Sequence, residues 1–121
     1  SVSRGLGDVY KRQDKTNLSA IRKNLEKDMD LIDRQNDFFE VVPKGFSKAS
    51  AIAYILEHMN IRLEDAYVFG DSSNDLPMFR YVPHAVAMGV HSSVLEPYAE
   101  FVTKTVEDDG IAFAMKHYGL I

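Results

Sequence analysis

The spacing of apolar and polar residues changes several times along this chain. Each change marks the boundary of a predicted helix, strand or turn. Leu18, Ile21 and Leu25 recur at i, i+3 and i+7 with charged residues between them, which predicts a short amphipathic helix. Two apolar runs then flank a turn-forming tract at residues 35–37. This pattern predicts a β-hairpin over residues 29–42.

The second half of the chain alternates between helical and strand patterns. A helix is predicted after Ser47, a good N-cap residue, and the unbroken apolar runs at 66–69 and 84–88 are typical of strands buried on both faces. A third strand is predicted at 101–103 and a closing helix from Ile111 onward. From residue 47 the order is α, β, α, β, α, β, α, which predicts a doubly wound α/β sheet.

Composition narrows the classes of function. The chain has 121 residues, of which 45% are hydrophobic and 26% charged, as in ordinary globular proteins. A net charge of -4 and a sequence pI of about 5.5 favour neither nucleic acid nor an anionic membrane surface as a partner. With no cysteine, the chain has no thiolate metal ligand and no Cys nucleophile. The same absence suits a reducing cytoplasm, where we expect the protein.

Residues 1–13 differ from the rest in composition and follow neither a helical nor a strand period. We expect this tract to be a non-native or disordered leader.

The stretch that indicates chemistry is Gly70-Asp71-Ser72-Ser73-Asn74-Asp75, which follows a predicted buried strand and opens a helix. In open α/β sheets ligands bind outside the carboxyl ends of the strands. Two carboxylates four residues apart suit Mg²⁺, which takes one or two protein carboxylates and fills its other positions with water and phosphate oxygens. The alternative is structural, since Asp, Ser and Asn are common in turns and Asn74 could cap the next helix.

A lysine at the start of the predicted helix after Ser47 is the second candidate. Lys48 gains nothing from the helix dipole at that end, but a cation beside exposed N–H groups suits a bound phosphate. Most lysines lie on the surface without such a role, and Lys44 is a rival that spacing alone does not exclude. The four histidines are scattered, and we interpret them as surface or packing residues.

Several motifs in a consistent order resemble Cof-type phosphatases of the haloacid-dehalogenase (HAD) superfamily, subfamily IIB. They are Pro43-Lys44-Gly45-Phe46-Ser47-Lys48-Ala49, Gly70-Asp71-Ser72-Ser73-Asn74-Asp75 with Met78 following, Ala87-Met88-Gly89, Ala99-Glu100-Phe101-Val102-Thr103 and Asp108-Asp109-Gly110. The fourth departs from the family pattern, because Glu100 stands where an Asp is usual. The resemblance covers about residues 38–121.

The resemblance implies roles for individual residues. Asp71 resembles the magnesium ligand of the fourth motif, and Asp75 its second, water-mediated metal contact. Lys48 and Asn74 resemble the residues that contact the phosphate. It further implies that residues 14–43 are the C-terminal remnant of an α/β cap. Residues 44–121 would then be the C-terminal half of a three-layer α/β/α Rossmann-like core.

The family's first motif, Asp-x-Asp-Gly-Thr, has no match, since Asp28-Met29-Asp30 lacks the Gly-Thr and lies in the wrong place. The resemblance therefore predicts that the nucleophile lies upstream of this chain. The parent protein would hydrolyse a small phosphorylated metabolite such as a sugar phosphate, and this chain alone would be inactive and would self-associate through an exposed sheet edge. Two other interpretations stay open: a non-catalytic α/β module that binds a cation or phosphate, and a piece without function.

Overall fold

The computed structural model describes residues 8–11, 18–33 and 38–121. It divides the chain into two compact units, Ser1–Ser47 and Lys48–Ile121, which are considered separately below. No helix in the described ranges is long and apolar enough to cross a bilayer.

The first unit is a three-stranded antiparallel sheet with one helix. In chain order its elements are β1 (Asp8–Lys11), α1 (Leu18–Leu25), β2 (Met29–Asp33) and β3 (Phe38–Pro43). The strands lie in the order β1-β3-β2, and the β2–β3 register runs from Met29 opposite Pro43 to Asp33 opposite Phe39. The predicted amphipathic helix and hairpin are thus confirmed, while the turn at 34–37 lies outside the described residues.

Strand β1 lies within the tract that we expect to be a non-native or disordered leader, and these four residues are ordered as a strand. Asp8–Lys11 pair with β3 through the register Asp8 opposite Val41 to Lys11 opposite Phe38. Strand β3 lies between β2 and β1, and its backbone N–H and C=O groups pair with both neighbours. This pairing gives strand structure to residues 8–11, although their sequence has no strand period. The remainder of residues 1–13 lies outside the described part of the chain.

The second unit has the predicted order of helices and strands, except that a 3-10 segment stands where the third helix was predicted. Its elements are α2 (Lys48–Met59), β4 (Tyr67–Gly70), α3 (Leu76–Tyr81), β5 (His84–Ala87), β6 (Phe101–Val102) and α4 (Gly110–His117). Single 3-10 segments precede β4, α3 and β6, at Leu63–Asp65, Ser73–Asp75 and Ser93–Tyr98. The strands form a parallel sheet in the order β4-β5-β6, which confirms the α/β class.

The core of this unit gathers around β5, the middle strand. Ala85, Val86 and Ala87 are fully buried, as are Val82 before the strand and Leu95 after it. Strand β4 differs from the sequence prediction of burial on both faces, because only every second residue is buried. It pairs with β5 on one side, and no described strand pairs with the other. An edge position leaves part of an apolar strand open to solvent.

Helix α2 buries none of its residues within the described chain. Tyr54, Ile55 and Met59 are all more than half exposed although they are large and apolar. The opposite face of the helix is half-buried, with Ile52 packed against the core, so α2 combines a core-facing side with an exposed apolar side.

The amino-terminal edge of the parallel sheet carries an aromatic and ionisable cluster. The Tyr67 and His84 rings, on paired residues of β4 and β5, stack with centroids 4.6 Å apart. The Tyr118 hydroxyl donates to Glu100 Oε2 at 2.8 Å, and His84 Nδ1 lies 2.9 Å from the same oxygen. Burial raises the pKa of Tyr118, and the Glu100 carboxylate raises it further, to about 12.

The ionisation of Tyr118 is a testable property of this cluster. A raised phenol pKa means that the folded state favours the neutral form, so the stabilisation is complete below the unfolded value near 10 and is lost as pH rises through about 12. In Glu100→Gln, we expect Tyr118 to ionise at lower pH because one cause of the rise is removed. The measurement is phenolate absorbance against pH, taken as the difference between each protein and its Tyr118→Phe partner. The same midpoint with and without Glu100 would show that burial alone sets this pKa.

Candidate functional site

Two loops meet at the carboxyl edge of the parallel sheet, where Gly70 ends β4 and Ala87 ends β5 as a register pair. The first runs from Asp71 to the 3-10 segment Ser73–Asp75. The second, Met88–Ser92, is called the exit loop below. The loops are joined by backbone hydrogen bonds, from Met88 N–H to the Gly70 carbonyl at 2.9 Å and from Ser92 N–H to the Asp71 carbonyl at 2.7 Å. The predicted location of the Gly70–Asp75 stretch is confirmed.

Asp75 is the buried centre of the first loop, with 3% of its surface exposed. Its Oδ2 accepts from the backbone N–H groups of Asp71 at 2.9 Å and Ser72 at 3.1 Å, and its Oδ1 is contacted by Lys48 Nζ. Burial by itself would raise the pKa of this carboxyl, but the Lys48 hydrogen bond and the two backbone donors outweigh it and lower the pKa. Asp75 is therefore an anion that fixes the loop and holds a lysine.

Gly70 permits this arrangement because the Asp75 side chain folds back over it. A Cβ at position 70 would lie 2.8 Å from Asp75 Oδ2 and 2.7 Å from the Phe79 ring. Either contact is closer than a real Cβ tolerates, so any side chain here would displace the carboxylate or the ring. The glycine of the motif thus serves close packing between loop and strand end.

Asp71 presents the free carboxylate of the site. The residue is exposed, and its side chain makes no hydrogen bond or ion pair with the described residues, whereas its backbone is bonded on both sides. Asn74 is half-buried and accepts at Oδ1 from the Ser72 hydroxyl, which leaves its amide N–H₂ available to donate outward. The alternative in which Asn74 caps the following helix is wrong, because Asp75 occupies the N-cap position of α3.

The two lysines lie in different environments. Lys48 is the first residue of α2, and its ammonium group, half-exposed, reaches Asp75 from 27 positions away in the chain. Lys44 belongs to the first unit, where it lines a cleft of about 370 Å³ with residues of α1 and β2. The structure therefore brings Lys48 together with the Gly70–Asp75 loop, and the functional roles of both lysines stay predictions.

The two carboxylates of this site suit a hard cation whose remaining ligands are not protein side chains. No three acidic or imidazole groups converge anywhere in the described ranges, so a cage made only of side chains is not present there. Mg²⁺ needs no such cage, because it keeps several waters and uses one or two carboxylates. The unpaired Asp71 fits a direct ligand. Asp75, whose two oxygens already accept hydrogen bonds, fits a contact through water, as the motif resemblance implied.

The exit loop is the part of the site that sequence reasoning did not identify. Its Ser92 N–H holds the backbone of Asp71, and His91 beside it is largely buried rather than at the surface. Its only sequence signal was the match of Ala87-Met88-Gly89, which carries no obvious chemistry.

Comparisons with known proteins agree with this geometry. The model of the haloacid dehalogenase-like hydrolase family matches residues 3–115, a range that begins inside the tract expected to be a leader. A putative phosphatase of Bacillus subtilis, YkrA, is 46% identical over 82 residues, which are 68% of this chain and 32% of that protein. A putative bifunctional phosphatase/peptidyl-prolyl cis-trans isomerase of Streptococcus pyogenes is 37% identical over 117 residues, 94% of this chain and 25% of the other.

Among solved structures, the HAD subclass IIB sugar phosphatase BT4131 superimposes with a TM-score of 0.72 at 33% identity. The match covers 85% of this chain and 40% of that one. The chain thus spans about a quarter to two fifths of the length of these three relatives. With a family match over nearly its whole length and a parallel sheet that presents the family's Gly-Asp-x-x-Asn-Asp loop, the chain belongs to the haloacid dehalogenase-like hydrolases of the Cof type.

Proposed function

We propose that this chain supplies the metal- and phosphate-binding half of a magnesium-dependent phosphate-monoester hydrolase. The observation that carries the proposal is the arrangement at the end of β4. An exposed carboxylate with no partner among the described residues, Asp71, lies next to a buried carboxylate, Asp75, that holds the Lys48 ammonium group. A metal-bound phosphate requires an anionic group that binds the metal and a cationic group that binds the phosphate. Asp71 would be the first and Lys48 the second.

In the proposed reaction each residue has a limited task. Asp71 holds the metal, which supplies charge neutralisation on the phosphate oxygens when it is bound. Lys48, kept in place by Asp75, neutralises the phosphoryl group from the protein side, and the Asn74 amide donates to one of its oxygens. Asp75 need not change its protonation state, because its lowered pKa keeps it ionised at neutral pH.

The covalent step requires a group that we place upstream of this chain. A carboxylate oxygen of an Asp in the missing first motif attacks phosphorus, the P–O bond to the alcohol breaks, and the alcohol leaves with a proton from a general acid. Water then attacks the aspartyl-phosphate and releases inorganic phosphate. Neither Asp71 nor Lys48 substitutes for that nucleophile.

A small phosphorylated metabolite is the proposed substrate, and a sugar phosphate is the class that we favour. Support comes from the structural neighbour described as a sugar phosphatase, at 33% identity. The absence of a basic surface excess, with a net charge of -4, is in keeping with a small ligand rather than nucleic acid. The segment that would distinguish one sugar phosphate from another belongs to the cap, of which residues 14–43 would be the last part.

Expressed alone, residues 1–121 should release no phosphate from an aryl phosphate with Mg²⁺, whereas the complete protein should turn the same substrate over. The chain alone should also elute from size-exclusion chromatography as more than a monomer, because the free edge of β4 and the apolar residues of α2 are open to solvent.

The control is the complete protein in the same buffer, with and without chelator. Turnover by a monomeric 1–121 chain that Asp71→Asn abolishes would place the nucleophile inside this chain and refute the half-site proposal. A complete protein that binds Mg²⁺ and phosphate but hydrolyses no ester would favour the non-catalytic module instead.

A further inference from the structure

His91 occupies a buried position in the exit loop that packing alone does not explain. Its side chain is 11% exposed, and Nδ1 lies 2.6 Å from the Met88 carbonyl oxygen. A carbonyl oxygen only accepts, so Nδ1 must carry the proton and donate it. Nε2 has no hydrogen-bond partner among the described residues, and the nearest acidic oxygen, Glu96 Oε1, is 3.9 Å away.

An apolar side chain would fill this space without leaving a buried polar atom that lacks a hydrogen-bond partner. A buried nitrogen that lacks a partner costs folding free energy, and a leucine of similar size would avoid that cost. What the imidazole adds is therefore the Nδ1–H donor, which closes the turn from Met88 to His91. This hydrogen bond links Met88, where the exit loop begins, to His91, the residue before its end.

The exit loop is held on both of its other sides. Gly89 N–H donates to the Lys104 carbonyl at 3.0 Å, and a Cβ on Gly89 would lie 2.6 Å from Thr105 N. On the opposite side Ser92 N–H donates to the Asp71 carbonyl at 2.7 Å. The exit loop is thus hydrogen-bonded on one side to the segment after β6 and on the other to the backbone of Asp71, and it holds the two in a fixed relative position.

We propose that His91 is a positioning residue for Asp71. The hydrogen bond from its Nδ1–H to the Met88 carbonyl fixes a turn, and this turn places Ser92 N–H where it donates to the Asp71 carbonyl. The position of the Asp71 carboxylate is fixed as a result. The loop role follows from the hydrogen bonds, and its consequence for the metal rests on the proposed function of Asp71. Residues that orient a metal ligand typically change metal affinity by about 10-fold or more when they are replaced.

The test compares three variants of the complete protein. His91→Leu removes the donor and keeps the volume. His91→Asn keeps an N–H donor close to the position of Nδ1. His58→Leu is the matched control, because His58 Nδ1 lies 2.9 Å from the Tyr54 carbonyl on exposed α2, outside this site. The first readout is amide hydrogen exchange of Ser92 in metal-free protein, and the second is the Mg²⁺ dissociation constant measured by calorimetry.

We expect His91→Leu to speed exchange at Ser92 by about 10-fold or more and to weaken Mg²⁺ binding by about 10-fold, with His91→Asn near wild type in both and His58→Leu unchanged. Unchanged Ser92 exchange in His91→Leu would overturn the proposal. Should that variant fail to fold, the ring ¹⁵N shifts of wild-type His91 decide, since a proton on Nε2 rather than Nδ1 would also overturn it. If Asp71→Asn leaves Mg²⁺ binding intact, the proposed metal role fails, while Ser92 exchange still tests the loop role.

Discussion

Asp71→Asn is expected to lower the proposed Mg²⁺-dependent turnover of the complete protein by about 1000-fold or more, which corresponds to roughly 4 kcal/mol of transition-state stabilisation. The substitution keeps the shape of the side chain and removes the charge that would attract the cation. The fold should survive, because the Asp71 carboxylate makes no hydrogen bond or ion pair with a described residue, and the backbone hydrogen bonds of this residue are unaffected.

Steady-state kinetics on an aryl phosphate, with Mg²⁺ varied, provide the measurement. Asp65→Asn is the matched control: Asp65 is exposed and pairs with Arg62 just before β4, away from the carboxyl edge of the sheet. A fully exposed pair of this kind contributes little to stability and lies outside the site, so that variant should retain its rate. Near-wild-type turnover by Asp71→Asn at saturating Mg²⁺ would refute the assignment of Asp71.

Lys48→Ala should reduce kcat/KM by about 100-fold or more, and Lys44→Ala should have a much smaller effect. Two causes add in the Lys48 variant. The phosphoryl group loses a cation, and the buried Asp75 carboxylate loses the one charged partner it has among the described residues and keeps two backbone donors. The pKa of Asp75 should rise as a result, because the Lys48 hydrogen bond is one of the causes that lower it.

Kinetics and thermal unfolding must be measured together for the lysine variants, since Lys48 both binds Asp75 and faces the proposed phosphate. Lys48→Arg is the informative intermediate: it keeps the charge and should preserve stability better than it preserves rate, because the guanidinium geometry differs from that of the ammonium group. A larger loss of activity from Lys44→Ala than from Lys48→Ala would reverse the assignment of the two lysines.

The elements and the location of the site could be predicted because they depend on local signals. Apolar runs that end in Gly-Asp or Ala-Met-Gly gave the strand ends to within one or two residues, as at Gly70 and Ala87. In a parallel sheet all such ends fall on one edge, so the polar loop after β4 had to lie there.

What the sequence did not reveal depends on contacts between distant residues. The Lys48–Asp75 pair joins positions 27 apart and requires α2 to start beside the loop after β4. The pairing of Asp8–Lys11 with β3 and the half-exposed faces of β4 were missed for a related reason, because strand neighbours decide both. Similarly, Asn74 was considered as a helix cap because Asn is a common one, whereas the buried Asp75 took that position.

The sparse packing of α2 bears on when the site is complete. The proposed phosphate-binding cation is the first residue of a helix in which no residue is fully buried within the described chain. Segments with few buried contacts open at a smaller free energy than the whole fold. In this chain, native-state fluctuations should therefore unwind α2, and release Lys48 from Asp75, well before the β4-β5-β6 sheet melts. Warming would then weaken the phosphate binding that we propose for Lys48, while most of the circular dichroism signal persists.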